Sequence, residues 1–209
     1  MKKVGNIEIF ENLKEIADPR WSALVLWDIQ NWLVNNIFNK SEFINNVKVL
    51  LNEARKINLP VFYTKITPLS KEYMSSYQYY FLMKITGIKD PANLPVFMPE
   101  DSVEPQIFEE LSPEKNETVL KKHTASIFID TYFEYMLRNR GIKTIIFTGI
   151  ATEIGIESSV RDASNRGFYP VVVSDCVSSN NQELHKLSLK VMSRIFDISD
   201  SNELIAGWK

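Results

Sequence analysis

The chain has 209 residues, 44% of them hydrophobic and 24% charged, with a formal net charge of −2. That length and composition fit one globular domain with a sizeable core and exclude collagenous or low-complexity classes. Charges of both signs are interspersed, leaving no basic stripe for nucleic acid, and the apolar runs fall far short of the roughly 20 residues a membrane helix needs. A single cysteine, Cys176, excludes an internal disulfide, and Gly5, Asn6 and Glu8 interrupt the apolar stretch behind the N-terminal lysines. The expectation is a soluble cytoplasmic protein.

In chain order, residues 23–27 form an apolar run closing on Asp28, the pattern of a strand buried on both faces that turns polar at the sheet edge. Ser41, a candidate N-cap, precedes Phe43, Ile44, Val47, Leu50, Leu51, Ala54 and Ile57 at three- and four-residue steps, which predicts an amphipathic helix stopping near Pro60. Strands are predicted over 61–64 and 118–120, then a helix over 127–140 ended by Gly141, and a strand over 143–148. A helix over 152–166 ended by Gly167, a strand over 169–174 and a last helix over 182–196 complete the pattern.

This repeated β-α-β order predicts a three-layer, doubly wound α/β fold, a mostly parallel sheet with helices on both faces, as a single domain over 1–209. Ligands sit at the carboxyl ends of the strands in such sheets, which directs attention to Asp28, Lys65, Lys122, Gly149 to Gly155, and Asp175. The stretch at about 66–113 carries Tyr73, Tyr77, Tyr79, Tyr80 and Phe81, lacks a strand pattern and is long for a connection. It is a candidate substrate lid or oligomer contact, or else a surface helix and loop packed on its own core.

Asp28 closes an otherwise apolar strand, where desolvation would raise its carboxyl pKa and suit it to proton transfer; a turn former is the alternative. Lys121 and Lys122 close another strand, and a lysine aimed at the same cleft would hold Asp28 or stabilise an anion; a solvated pair is the alternative. Residues 148–155 run from strand to helix through small side chains, leaving backbone N–H groups free for an oxyanion or carboxylate, although a tight turn alone would account for Gly149. There is no G-x-S-x-G elbow and no placement for a serine–histidine triad. His123, His185 and one cysteine do not compose a zinc site, so neither metal nor cofactor is expected. Cys176 reads as a buried small hydrophobe, and Asp175 as a brace for its loop.

Three segments, in this order, resemble the isochorismatase-like hydrolase superfamily, which includes isochorismatases, nicotinamidases and N-carbamoylsarcosine amidases. The strand ending Trp27, Asp28, Ile29, Gln30 is similar to the family's aspartate motif. Residues 119–128 resemble its lysine motif, with the spacing to Ser126 and Phe128 selecting Lys122 over Lys121. Residues 149–167 resemble its strand, cis-peptide turn and nucleophile helix. The resemblance implies Asp28 and Lys122 as catalytic residues, substrate contacts from Gln30, Ile150, Ala151 and Thr152, a cis peptide between Ile150 and Ala151, and assembly as a homodimer or homotetramer.

The resemblance also places Gly155 where the amidase members carry their nucleophilic cysteine, so no thioester intermediate is available. Members that hydrolyse the vinyl ether of isochorismate carry glycine there and use the aspartate as an acid. On that analogy Asp28 delivers the proton, Lys122 orients it, and water captures the oxocarbenium ion. Two departures stand against it: Thr64 is followed by Lys65 and Ile66 where the vinyl-ether hydrolases place a glutamine two residues on, and the 151–153 turn is closer to the cysteine-using amidases. The expectation is a hydrolase of a small carboxylated metabolite, isochorismate or another enol ether being the named candidate. The competing expectation is a non-catalytic relative that binds a small molecule or serves as an assembly subunit.

Overall fold

The computed structural model describes residues 1–209. The chain opens with an antiparallel hairpin, β1 (Lys2–Val4) and β2 (Ile7–Ile9), and a short helix α1 (Leu13–Ile16). There follow β3 (Ser22–Trp27), α2 (Asn31–Asn35), α3 (Lys40–Lys56), β4 (Val61–Ile66), α4 (Ser76–Thr86), β5 (Thr118–Lys122) and α5 (Phe133–Asn139). The chain finishes with β6 (Thr144–Ile150), α6 (Glu157–Asn165), β7 (Tyr169–Ser178), α7 (Gln182–Met192), β8 (Asp197–Ser199) and α8 (Ser201–Trp208). No helix is long and apolar enough to cross a membrane.

Six strands form one sheet in the order β5-β4-β3-β6-β7-β8, and every pairing is parallel. The α/β reading from the sequence holds. Every residue of β3 and β6 is buried, as strands covered on both faces must be, and the two-residue period of a strand sorts their side chains into separate cores. Leu24 and Leu26 face a cluster built with Val47, Leu50 and Leu51 of α3 and Leu204 of α8. Ala23, Val25 and Trp27 face the opposite cluster, with Phe133 and Leu137 of α5, Val160 of α6 and Met192 of α7. The order reverses at β3, where the chain runs outward to β4 and β5 and then returns to β6; in doubly wound sheets such a reversal is where ligands bind, at the carboxyl ends of the strands.

Several boundaries differ from expectation for local reasons. The first long helix has Asn39, not Ser41, at its N-cap position. The helix expected over 127–140 shrinks to α5, because the Ile127 N–H binds the Ser159 hydroxyl, the Thr131 hydroxyl bonds the Ile127 carbonyl, and Asp130 adopts φ of 57°. The helix expected from 152 begins as a π-helical turn, Thr152–Ile156, before α6. The strand expected over 169–174 runs on to Ser178 across a register shift, and the last predicted helix stops at Met192. The long connection starts after Ile66, which ends β4, and contains α4 and short 3-10 turns.

Asp175 takes the bracing role expected of it, accepting from the Ser201 N–H at 2.8 Å and the Ser201 hydroxyl at 2.5 Å where α8 begins. Beside it Cys176 has no exposed surface, and burial pushes its thiol pKa up. The native protein should therefore resist a water-soluble thiol reagent, with labelling measured by mass spectrometry proceeding only at the rate of unfolding. Prompt stoichiometric labelling of folded protein would contradict this placement.

Candidate active site

Asp28 leaves the end of β3 with φ of 46°, a left-handed conformation rare for a side chain other than glycine. The neighbouring strand holds it there: the Asp28 N–H donates to Thr64 Oγ1 at 2.9 Å, and the Thr64 hydroxyl donates back to Asp28 Oδ1 at 2.5 Å. Lys122, at the end of β5, reaches across β4 and donates from Nζ to Asp28 Oδ2 at 2.6 Å. Its ammonium also donates to the Thr124 carbonyl at 3.2 Å and lies 4.2 Å from the centroid of the Trp27 ring. The sequence pointed to Asp28 and Lys122, and the fold brings them into direct contact.

The pair is closed off, with Asp28 4% exposed and Lys122 2% exposed. Burial opposes charge on both partners, pushing the Asp28 carboxyl above its usual range and the Lys122 ammonium below its own; the attraction between them works against both shifts and is outweighed. An acid in this setting holds its proton to higher pH than an exposed aspartate does.

Two glycines near the pair are required by close approach. Gly149, at φ of 118°, lies opposite Trp27 in the β3–β6 register, and a Cβ there would come within 2.1 Å of the Trp27 carbonyl oxygen. Gly155 is the position where the resemblance places a cysteine in amidase members. A Cβ at Gly155 would lie 2.3 Å from Nε1 and 2.7 Å from Cε2 of the Trp27 indole. Trp27 is only 1% exposed and packed among core side chains, so its ring fills the volume that a side chain at 155 would need. Trp27 escapes sequence reading as a site residue because its apolar period assigns it to the core, which is also where it lies.

The turn after β6 contains the expected cis peptide between Ile150 and Ala151. The Ala151 N–H makes no hydrogen bond within the protein. Thr152 is buried, donating from its hydroxyl to the Ser178 carbonyl at 3.1 Å. Its hydroxyl also lies 2.8 Å from His185 Nδ1, tying α7 to the turn. Burial lowers the His185 pKa, with nearby Glu153 opposing the shift. Gln30, expected against substrate, ties two loops together. Its amide accepts from the Ile66 N–H at 2.8 Å and donates to the carbonyls of Ile66 at 3.1 Å and Pro105 at 3.0 Å. Ser126 donates to the Asp162 carboxylate, pinning the loop after Lys122 to α6. No group of three His, Cys, Asp or Glu side chains is placed to hold a metal ion.

The isochorismatase domain family model matches residues 22–203. An uncharacterized isochorismatase family protein of Bacillus subtilis is 28% identical over 178 residues, 83% of this chain and 86% of that protein. A ureidoacrylate amidohydrolase of Acinetobacter baylyi is 31% identical over a shorter match, 48% of this chain and 42% of its own length. Among solved structures, a cysteine hydrolase from Pseudomonas syringae superposes with a TM-score of 0.77 at 18% identity, covering 91% of this chain and 93% of that one. An isochorismatase family protein from Burkholderia thailandensis superposes with a TM-score of 0.72 at 25% identity, covering 90% and 95%.

The overlap at Gly155 predicts that Gly155→Ala lowers the unfolding free energy by about 1–3 kcal/mol through overpacking. In a Trp27→Leu background, where the ring is gone, the same substitution should have almost no further effect in denaturant titrations. Additive losses would contradict the contact. His185, with its pKa depressed below 6.5, contributes stability that is present above that value and lost as the pH falls through the folded-state pKa. The melting temperature should thus drop more steeply on acidification in the wild type than in His185→Asn, and equal slopes would remove His185 from the account.

Proposed function

As the chain belongs to the isochorismatase family, we propose that it is a hydrolase working without a cysteine nucleophile, acting on a small carboxylated metabolite by proton transfer from Asp28. Vinyl-ether hydrolysis, with isochorismate as the named candidate, is the reaction this arrangement serves best. The observation that carries the reading is an intact Asp28–Lys122 contact at 2.6 Å beside a Trp27 ring that stands where a side chain at 155 would be. A nucleophile there has no room, whereas a proton donor is in place.

In this reading the double-bond electrons of the enol ether take the Asp28 proton at the terminal carbon, forming the C–H bond and leaving Asp28 as a carboxylate, while the adjacent carbon becomes an oxocarbenium ion stabilised by the ether oxygen. Water then adds to the cation and returns a proton to the Asp28 carboxylate, and the hemiketal separates into an alcohol and a ketone. Lys122 acts by holding Asp28 in position and by supplying positive charge for a substrate carboxylate. The free Ala151 N–H and the turn from Ile150 to Thr152 supply a second anchor for that carboxylate.

A second reading has its own support. Exposures of 4% and 2% leave the pair almost no surface, which suits a relative that has kept the architecture and lost turnover. Pure, folded wild type and Asp28→Asn should be assayed against isochorismate, nicotinamide and an N-carbamoyl amino acid. The proposal expects isochorismate alone to be consumed, with Asp28→Asn slower by at least about 100-fold, the range of a lost general acid. Consumption of none of the three by folded protein would favour the non-catalytic reading, and amide hydrolysis would overturn the proton-transfer route.

A further inference from the structure

Helix α4 is well built locally yet has nothing beneath it. Ser75 and Gln78 form a capping box, and Gly87 closes the other end in a left-handed conformation, but none of the helix's 11 residues is buried. A helix this short is marginal without an apolar surface to pack on. Beneath it, between the long connection and the ends of β4 and β5, is a cavity of about 520 Å³ lined by Met74, Tyr79, Leu82, Leu94, Phe97 and His123 among others. This volume lies in the range of small-molecule sites, and neither Asp28 nor Lys122 lines it.

The cavity wall is mostly apolar, and several of its polar groups are already bonded within the protein. The Tyr79 hydroxyl donates to the Lys71 carbonyl at 2.7 Å, the Lys71 ammonium to the Leu94 carbonyl at 3.0 Å, and the Thr67 hydroxyl to the Lys122 carbonyl at 3.3 Å. His123 differs. Its Nδ1 lies 2.6 Å from the Thr67 carbonyl oxygen, which can only accept, so Nδ1 carries a hydrogen, and Nε2, on a ring exposed at the cavity rim, has no protein partner.

We propose that this cavity is a binding site for an apolar, ring-bearing small molecule with one hydrogen-bond donor, of the phenol type. The ring system lies against Met74, Leu82, Leu94 and Phe97 and supplies the missing core of α4, while the donor points at His123 Nε2. The site stands independently of any reaction at Asp28.

The test is calorimetric titration of the full chain with 1-naphthol and with 1-methoxynaphthalene, which has the same ring and no donor, together with hydrogen exchange across residues 67–97. Naphthol should bind about tenfold more tightly than the ether, the scale of one lost hydrogen bond, and should slow exchange in α4. In His123→Phe the two probes should bind alike, and Leu82→Trp, which puts a bulkier ring into the cavity, should weaken both. The wild-type comparison and the exchange data need no variant to fold. No naphthol binding, or equal affinity for both probes in the wild type, would overturn the proposal. So would protection of α4 that rises with protein concentration in the absence of ligand, because a second copy of the chain would then be its cover.

Discussion

The rest of the site depends on one ion-pairable contact held out of water, Lys122 Nζ against Asp28 Oδ2 at 2.6 Å. Two such groups are placed in a nearly dry spot only when geometry and further hydrogen bonds satisfy them. Here Thr64 occupies the other carboxylate oxygen, the Thr124 carbonyl takes a second ammonium proton, and the Trp27 ring faces the same ammonium at 4.2 Å. The parallel order β5-β4-β3 sets the distance, because Lys122 must span one intervening strand and Thr64 lies on that strand between the partners. Desolvation then makes the pair reluctant to carry two charges and raises the Asp28 carboxyl pKa, the direction that suits a proton donor.

Trp27 links the core to this chemistry. Its backbone pairs with Gly149 so closely that no other residue fits there, its ring fills the space over Gly155, and its face meets Lys122. Gly155 is therefore more than an absent side chain: the volume has been taken by a core residue. Family membership and the shared fold describe the scaffold, and the Trp27–Gly155 contact distinguishes what this scaffold can accommodate at the position.

Much of this was legible in the sequence. The apolar run ending at Asp28, the spacing that selects Lys122, and the small-residue turn after β6 all mark strand ends of a parallel sheet, and the fold places them together. What escaped has physical causes. Helix length at 127–140 was overestimated because hydroxyls of Ser159 and Thr131 compete for backbone partners, a contact with no periodic signature. The amide of Gln30, a substrate contact by resemblance, bonds the Ile66 N–H and the carbonyls of Ile66 and Pro105, partners that no local pattern announces. The β8 strand of three residues is too short to show a pattern, and α8 went unread with it, although Asp200 caps that helix, its side chain accepting from the Glu203 N–H at 2.9 Å. The packing of Trp27 over Gly155 joins positions far apart in the chain, and only the folded sheet reveals it.

The central claim is that Asp28 is a buried carrier of a proton held in contact with Lys122. It is tested most directly by a 13C NMR titration of the aspartate carboxyl carbons, with Asp28→Asn used to assign the resonance. The account predicts that the Asp28 signal titrates above the ordinary aspartate value of 3.8, remaining protonated after exposed aspartates have lost their protons. Titration of Asp28 at or below that value would show a carboxylate stabilised in its charged form, and would contradict its role as the acid.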